Sequence, residues 1–400
     1  MTSALSLAAR REFAAGWPAV IAAAVAICVG MTGIGFYSLG LFVKPLQDEF
    51  GWSRAAVSGA ATFEQFGIFL SAPIVGKLAD RFGVKPIAIA SYVATPLAFV
   101  ALSRAGPSIW SWYALWLLVS LAGCGTTPAI WARAIATRFD AGRGLALGLM
   151  LLGTGVAAIL APAILGPVIV AYGWRTAVLA MGAAVLVIGL PVSLAMARDE
   201  PLADEGRSAP RGNFEVNRAT LVLVAVAIAL GAIVAGLIVH LVPLLVDRGL
   251  DPAEAAGMAA GLGLAVVLSR VIVGFLFDRF HAPYVAAFFL ASPAIACVVL
   301  LSGGPVFLAA LLLGVAAGAE VDMLAYLTGR YAAMRNYGAT YGLILGLFSF
   351  GAGCGPPAFG WSVDLTGNYQ FVLVLSGLAL TVVVVAIATL GPYRTQVARD

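Results

Sequence analysis

The stretch GKLADRFGVK, Gly76 to Lys85, returns in altered form as GFLFDRF, Gly274 to Phe280. The common parts lie 198 residues apart, and the same offset sets Pro45 on Pro243, Gly51 on Gly249, Gly59 on Gly257 and Ser71 on Ser269. A second alignment joins TRFDAGR (Thr137 to Arg143) to GRYAAMR (Gly329 to Arg335), and Pro162 to Pro356. The chain reads as a doubled unit. In each copy a charged cluster closes a long apolar run, as happens where a membrane helix meets water.

Composition agrees with that reading. Of 400 residues, 62% are hydrophobic and 10% charged, with a formal net charge of +4. A soluble domain carries about 25% charged residues and cannot hide so much apolar surface. Disorder, fibrous repeats and a disulfide scaffold are excluded on the same grounds. A lipid-facing barrel needs alternating polarity, so the class is a polytopic all-α membrane protein. Cys28, Cys124, Cys297 and Cys354 sit singly in apolar segments, which points to neither disulfides nor zinc.

With about 20 apolar residues per span, breaks at charges, Pro and Gly give twelve spans: 17–42, 55–79, 86–103, 108–133, 145–170, 175–197, 219–246, 253–277, 284–303, 305–329, 338–363 and 369–391. The segment 198–218 is polar, contains Pro and carries both charges, so it reads as a cytoplasmic linker. It divides an N-terminal six-helix bundle (1–197) from a C-terminal one (219–400). The basic start MTSALSLAARREF precedes a run too long for a signal peptide, so the first helix is expected to stay. With both termini inside, Arg10, Arg11, Lys77, Arg81, Lys85, Arg133, Arg138, Arg143, Arg279, Arg330 and Arg335 are among the cytoplasmic basic residues. Lys44, Arg54, Arg104, Arg175 and Arg248 fall outside, and Arg270 stays in mid-span. A bacterial inner membrane is the expected location. Repeats of this kind place a binding site near mid-membrane, between the halves.

The Gly76–Lys85 cluster resembles the loop signature of the major facilitator superfamily, with Val84 where the pattern has a basic residue. Within that superfamily the chain resembles the monocarboxylate transporter and oxalate–formate antiporter branch over nearly its whole length. The segments that carry the likeness are GLFVKPLQDEFGWSRAAVS (40–58), RFDAGRGLALG (138–148), HLVPLLVDRGLDPAEAA (240–256), AEVDMLAYLTGRY (319–331) and GPPAFGWSVDLTGNY (355–369). The resemblance implies twelve helices, alternating access, and a small organic anion moved with a proton or exchanged for another anion. It also implies gate charges that change partners at the cytoplasmic ends, here Asp80, Arg81, Asp278, Arg279 and Arg138. The alternative for that cluster is a plain positive-inside anchor.

Charge inside a membrane is costly and marks candidate sites. Arg270 falls about two turns before Asp278, and its planar guanidinium can hold a carboxylate through two parallel hydrogen bonds. In the resembling family an arginine on the eighth helix plays that part. A permanent ion pair with an acid of the tenth span is the alternative. That span supplies Glu320 and Asp322, which face different ways; either can counter Arg270 or carry a coupling proton. Asp322 shares a face with Tyr326, and stands where oxalate–formate antiporters place an aromatic ring. His240, one of two histidines, titrates in a range suited to proton coupling and can bond a substrate oxygen or a neighbouring helix. Glu64 is read as a gating or locally bonded residue and His281 as structural.

Tyr37 is expected to wall the site, where the animal relatives carry a proton-handling lysine. Val266 stands where they carry an aspartate, so their relay does not transfer. With one fixed cation, a monocarboxylate fits better than a dicarboxylate. Thr127, in Gly123-Cys-Gly125-Thr126-Thr127-Pro128, offers a hydroxyl to the site or to its own helix. Gly257/Gly261, Gly314/Gly318, Gly342/Gly346 and Gly351/Gly355 form small-xxx-small pairs suited to close helix approach. No phosphate loop, nucleophile triad or nucleic-acid stripe is present, so neither an enzyme nor a nucleic-acid partner is expected, and no cofactor or metal is called for. The sequence reads as a monomeric proton-coupled carrier of a small monocarboxylate, lactate- or pyruvate-like or a short aromatic acid. An oxalate–formate type exchanger, a drug or amphiphile exporter, and a transporter-like receptor are the rival readings.

Overall fold

The computed structural model of the chain describes residues 7–136, 138–139, 142–195, 216–277, 279–332 and 336–391. Among these residues, twelve long helices carry the fold. In the first half they are α1 (Leu7–Val29), α2 (Ala60–Phe82), α3 (Val84–Leu102), α4 (Ile109–Ile135), α5 (Arg143–Tyr172) and α6 (Trp174–Ala195). In the second they are α7 (Arg218–Asp247), α8 (Pro252–Phe277), α9 (Ala282–Leu301), α10 (Val306–Tyr331), α11 (Tyr337–Thr366) and α12 (Gln370–Ala388). Among the described residues, eleven helices are long and apolar enough to cross a membrane. The twelfth, α2, has 23 residues, but Glu64, Gln65 and Lys77 dilute its apolar run. Most of the linker read at 198–218 lies outside the described residues.

Two hydrophobic cores follow the doubling. One is built almost wholly from residues 13–185 and the other from residues 223–390. Each borrows a little across the divide: Val239 and Ala256 pack into the first core and Ala158 into the second. Outside, Phe288, Leu378, Val382 and Trp361 are exposed, an apolar surface suited to lipid rather than water.

Breaks in the helices fall where the sequence weakens them. Beyond α1 the chain runs through a π segment (Met31–Gly35), a short helix (Phe36–Ser38), a 3-10 turn (Leu39–Phe42) and a helix (Val43–Phe50) that ends on Gly51 at φ +68°. In α4, Pro128 supplies no N–H, and a 3-10 turn over Cys124–Thr126 interrupts the helix before it. The Met31 N–H donates to Thr126 Oγ1 at 3.0 Å, tying the two interruptions together. In α11, Pro357 cannot bond the Gly353 carbonyl one turn back, and Thr62 Oγ1 of α2 donates to that carbonyl at 2.6 Å. A helix defect has become a link between the halves.

Candidate substrate site

α8 and α10 cross where their backbones touch. A Cβ on Gly314 would run into the Leu262 carbonyl, and one on Gly318 into Ser269 Oγ. That closeness brings Arg270 of α8 to Asp322 of α10: Nη1 lies 3.4 Å from both Oδ1 and Oδ2. Charge-assisted N–H···O bonds are ordinarily about 2.7–2.9 Å, so the pair is loose. Arg270 is nearly enclosed, with 9% of its side chain exposed, whereas Asp322 shows 32%. Arg270 Nε and Glu320 Oε2 are buried without a hydrogen-bond partner. Arg270 lies roughly 11 Å along α8 from Phe277, and Asp322 roughly 14 Å along α10 from Tyr331, so both sit well inside their spans.

Tyr37 completes this group from the first half. It packs against both hydrophobic cores and lies within electrostatic reach of Arg270 and Glu320. Arg270, Asp322, Glu320 and Tyr37 therefore gather at the junction of the halves. A guanidinium with an unused Nε–H, a partly exposed carboxylate counter-ion and a phenol form a set that can accept an anion in place of Asp322.

Thr127 and Tyr326 are both engaged with nearby backbone. Thr127 is buried and its hydroxyl donates to the Cys124 carbonyl at 2.8 Å, closing the helix interruption. Tyr326 lies one turn beyond Asp322 and stacks on Phe277 with ring centroids 4.7 Å apart. Its hydroxyl donates to the Phe277 carbonyl at 3.0 Å and accepts from Arg330 Nη2 at 2.6 Å. Of the gate residues, Arg81 lies over Phe82, Arg279 over Phe275, and Arg138 Nη1 donates to the Ala134 carbonyl at 2.9 Å. The Asp278 placement and the Asp80 side chain lie outside the described residues.

His240 is not brought to Arg270. It is buried between α7 and α11, with Nε2 at 2.9 Å from the Pro356 carbonyl and Nδ1 at 3.1 Å from the Tyr369 hydroxyl. A carbonyl only accepts, which assigns the proton to Nε2 and leaves Nδ1 to accept from Tyr369. Both nitrogens are thus engaged with neighbouring backbone and side chain.

Tyr369 belongs to a charged latch that the motifs do not announce. Asp247, at the end of α7, pairs with Lys44 and Arg54 of the first half. Asp364 of α11 accepts from the backbone N–H groups of Arg54 and Ala55 at 3.1 and 3.0 Å. The Arg54 guanidinium lies 5.5 Å from the Tyr369 ring centre. Ser58 Oγ donates to the Pro356 carbonyl at 3.1 Å. Gly40 rests on the Val239 backbone and Gly360 on Ala55. The halves are joined at this end of the bundle, opposite the end that carries Arg81 and Arg279. The repeat held one clue, because the offset that aligns Pro45 with Pro243 also aligns Glu49 with Asp247. Glu49 makes the corresponding contact within the first half, accepting from Trp174 Nε1 at 2.6 Å and from Arg175 Nη1 at 2.6 Å. Burial pushes its carboxyl up, but those two hydrogen bonds and the Arg175 charge outweigh burial and hold it below the usual carboxylate value.

Comparison with known proteins supports the same architecture. Residues 25–345 match the family model of the Major Facilitator Superfamily. The chain is 28% identical over 384 residues to monocarboxylate transporter 11 of Homo sapiens, covering 90% of this chain and 80% of that one. It is 27% identical over 296 residues to the 3-(3-hydroxy-phenyl)propionate transporter of Escherichia coli (strain K12), covering 72% of each. Among solved structures, a bacterial homologue of the human lysosomal transporter Spinster, inward-facing and occupied, superposes with a TM-score of 0.69 at 17% identity, covering 93% of this chain and 94% of that one. The chain is a transporter rather than an enzyme, and it belongs to the major facilitator superfamily.

Proposed function

We propose that the chain carries a small monocarboxylate across the bacterial inner membrane by alternating access, coupled to protons. The observation that supports this most is the loose Arg270–Asp322 pair beside an unused Arg270 Nε–H. An incoming carboxylate offers two oxygens to the planar fork, which Asp322 meets through Nη1 alone. Substrate therefore takes Arg270, and the displaced Asp322 or its neighbour Glu320 receives a proton, because a second carboxylate in the same place would go uncompensated. Tyr37 walls the cavity. The gate at Arg81, Arg138 and Arg279 faces the cytoplasm in this reading, and the Lys44–Asp247–Arg54 latch faces outward.

Substrate chemistry follows from one fixed cation. One carboxylate is matched and a dicarboxylate is not, whether the rest of the molecule is aliphatic or aromatic. The names of the relatives, monocarboxylate transporter 11 and the 3-(3-hydroxy-phenyl)propionate transporter, fit that class. A thermal-shift screen of pyruvate, lactate and short aromatic acids at two pH values, followed by counterflow in proteoliposomes, tests the reading. Arg270→Lys keeps the charge and loses the fork. A hydrogen bond to a charged group contributes about 1.5–3 kcal/mol, so half-saturation rises roughly 10- to 150-fold. Unchanged counterflow by a folded Arg270→Ala protein would end the proposal.

A further inference from the structure

A second acidic centre lies in the first half, away from Arg270. Glu64 of α2 is completely buried, and both of its carboxylate oxygens are without a hydrogen-bond partner. Its backbone carbonyl is engaged, accepting from Ser120 Oγ of α4 at 2.6 Å. A carboxylate taken out of water with no partner is disfavoured against its neutral form, so in this conformation the group holds a proton. Among the described residues, the neighbouring elements bring it no countercharge. The segment after α1 presents Met31 and Gly35; α4 meets Glu64 through Ser120, carries Tyr113, bonded to the Ala56 carbonyl, nearer its start, and has Arg133 in its last turn; α3 has Lys85 at its far end, bonded to the Leu194 carbonyl. α11 meets the other side of α2, at Thr62 and Gln65. The Arg270 group interacts with Tyr37 and within itself. Among the described residues no group of three His, Cys, Asp or Glu can hold a metal ion, so a lone carboxyl suits a proton rather than a metal.

The wall in front of Glu64 is the irregular stretch that follows α1. Its π segment, Met31–Gly35, faces the acid, and a Cβ on Gly35 would stand 3.7 Å from Glu64 Oε1. π segments carry an extra residue in the turn and recur at functional sites. Thr32 Oγ1, in the same segment, is also buried without a partner. Losing the extra residue would turn this segment against α2 and change what faces the carboxyl.

From these observations we infer that Glu64 is a separate proton-binding site of the first half, protonated while the latch is closed and releasing that proton when the π segment rearranges. It rests on the carrier reading only for its place in the transport cycle. The site itself is read without substrate, by pH-difference infrared spectroscopy of the full chain in lipid. Wild type shows loss of a protonated-carboxyl C=O band as pH rises. Glu64→Gln lacks that band and releases one proton fewer per chain, whereas Glu320→Gln retains it. An identical band and proton count in Glu64→Gln overturn the inference. If Glu64→Gln does not fold, Gly35→Ala decides: a displaced band supports the site and an unmoved band refutes it.

Its part in transport is measured in proteoliposomes with pyruvate. Glu64→Gln keeps counterflow but loses about tenfold in accumulation per pH unit of imposed gradient, the worth of one proton. Accumulation equal to wild type refutes that part. An absence of pyruvate flux in wild type counts against the substrate reading, while the infrared bands still decide whether Glu64 binds the proton.

Discussion

Gly40→Ala asks whether the closed end of the bundle opens. Gly40 lies in the 3-10 turn after α1, against α7, where a Cβ would overlap the Val239 carbonyl oxygen and sit 3.1 Å from its carbon. The obstacle is backbone, so no rotamer change relieves it. Overpacking of this kind costs about 1–3 kcal/mol. The contact joins the two halves, so the cost falls on the latched conformation and not on one in which the halves part at that end. The equilibrium then moves roughly 5- to 150-fold towards the open-latch form. The assay places one cysteine at Ile238, which lines a small space beside Tyr37 and Leu41 behind the latch. Cys28, Cys124, Cys297 and Cys354 are replaced beforehand. A membrane-impermeant maleimide added from the latch side should label Ile238→Cys faster in the Gly40→Ala background by that factor. An unchanged rate in a stably folded protein would refute the reasoning, since the clash would then have been absorbed without parting the halves.

Two further outcomes concern stability. Thr62→Val removes the side-chain donor that reaches the Gly353 carbonyl released by Pro357, and leaving such an acceptor unpaired costs about 1–3 kcal/mol. Thermal unfolding should therefore show a lowered midpoint for Thr62→Val and near-native behaviour for Thr62→Ser; equal midpoints would show that the link contributes nothing. Glu49 gives a pH signature. Its folded-state carboxyl is held below the ordinary value, so its stabilisation is complete above that value and is lost as pH falls through the lowered one. Melting curves across the acidic range should fall more steeply for wild type than for Glu49→Gln, and parallel curves would assign the acid loss to other groups.

Much of the architecture was legible because membrane helices are written in local chemistry. Apolar runs of span length, charges at their ends and the repeat around Gly76 and Gly274 each act within one helix or between equivalent positions. Arg270 stood out for the same reason, being a permanent charge inside an apolar segment. α2 has the weakest apolar signal of the twelve, because Glu64, Gln65 and Lys77 interrupt its run. The family's substrate pattern singles out Tyr37, Tyr326 and Thr127, but no pattern along the chain reports that Tyr37 meets the Arg270 group, that the Tyr326 hydroxyl bonds the Phe277 carbonyl of α8, or that the Thr127 hydroxyl bonds the Cys124 carbonyl.

Sequence by itself determined that this is an all-helical membrane chain of doubled design with a lone arginine in mid-span, because hydrophobicity and charge are properties of each residue. Tertiary structure decided which groups meet. Gly314 and Gly318 let α8 and α10 approach closely enough to pair Arg270 with Asp322, and no spacing rule along one helix reports a crossing between two. Likewise Asp247, Asp364 and Tyr369 became partners of Arg54 across more than 190 residues, and His240 meets Tyr369 and the Pro356 carbonyl beside them. A hydrogen bond reaches only about 3 Å, so what a polar side chain does depends on the helix that folding sets beside it.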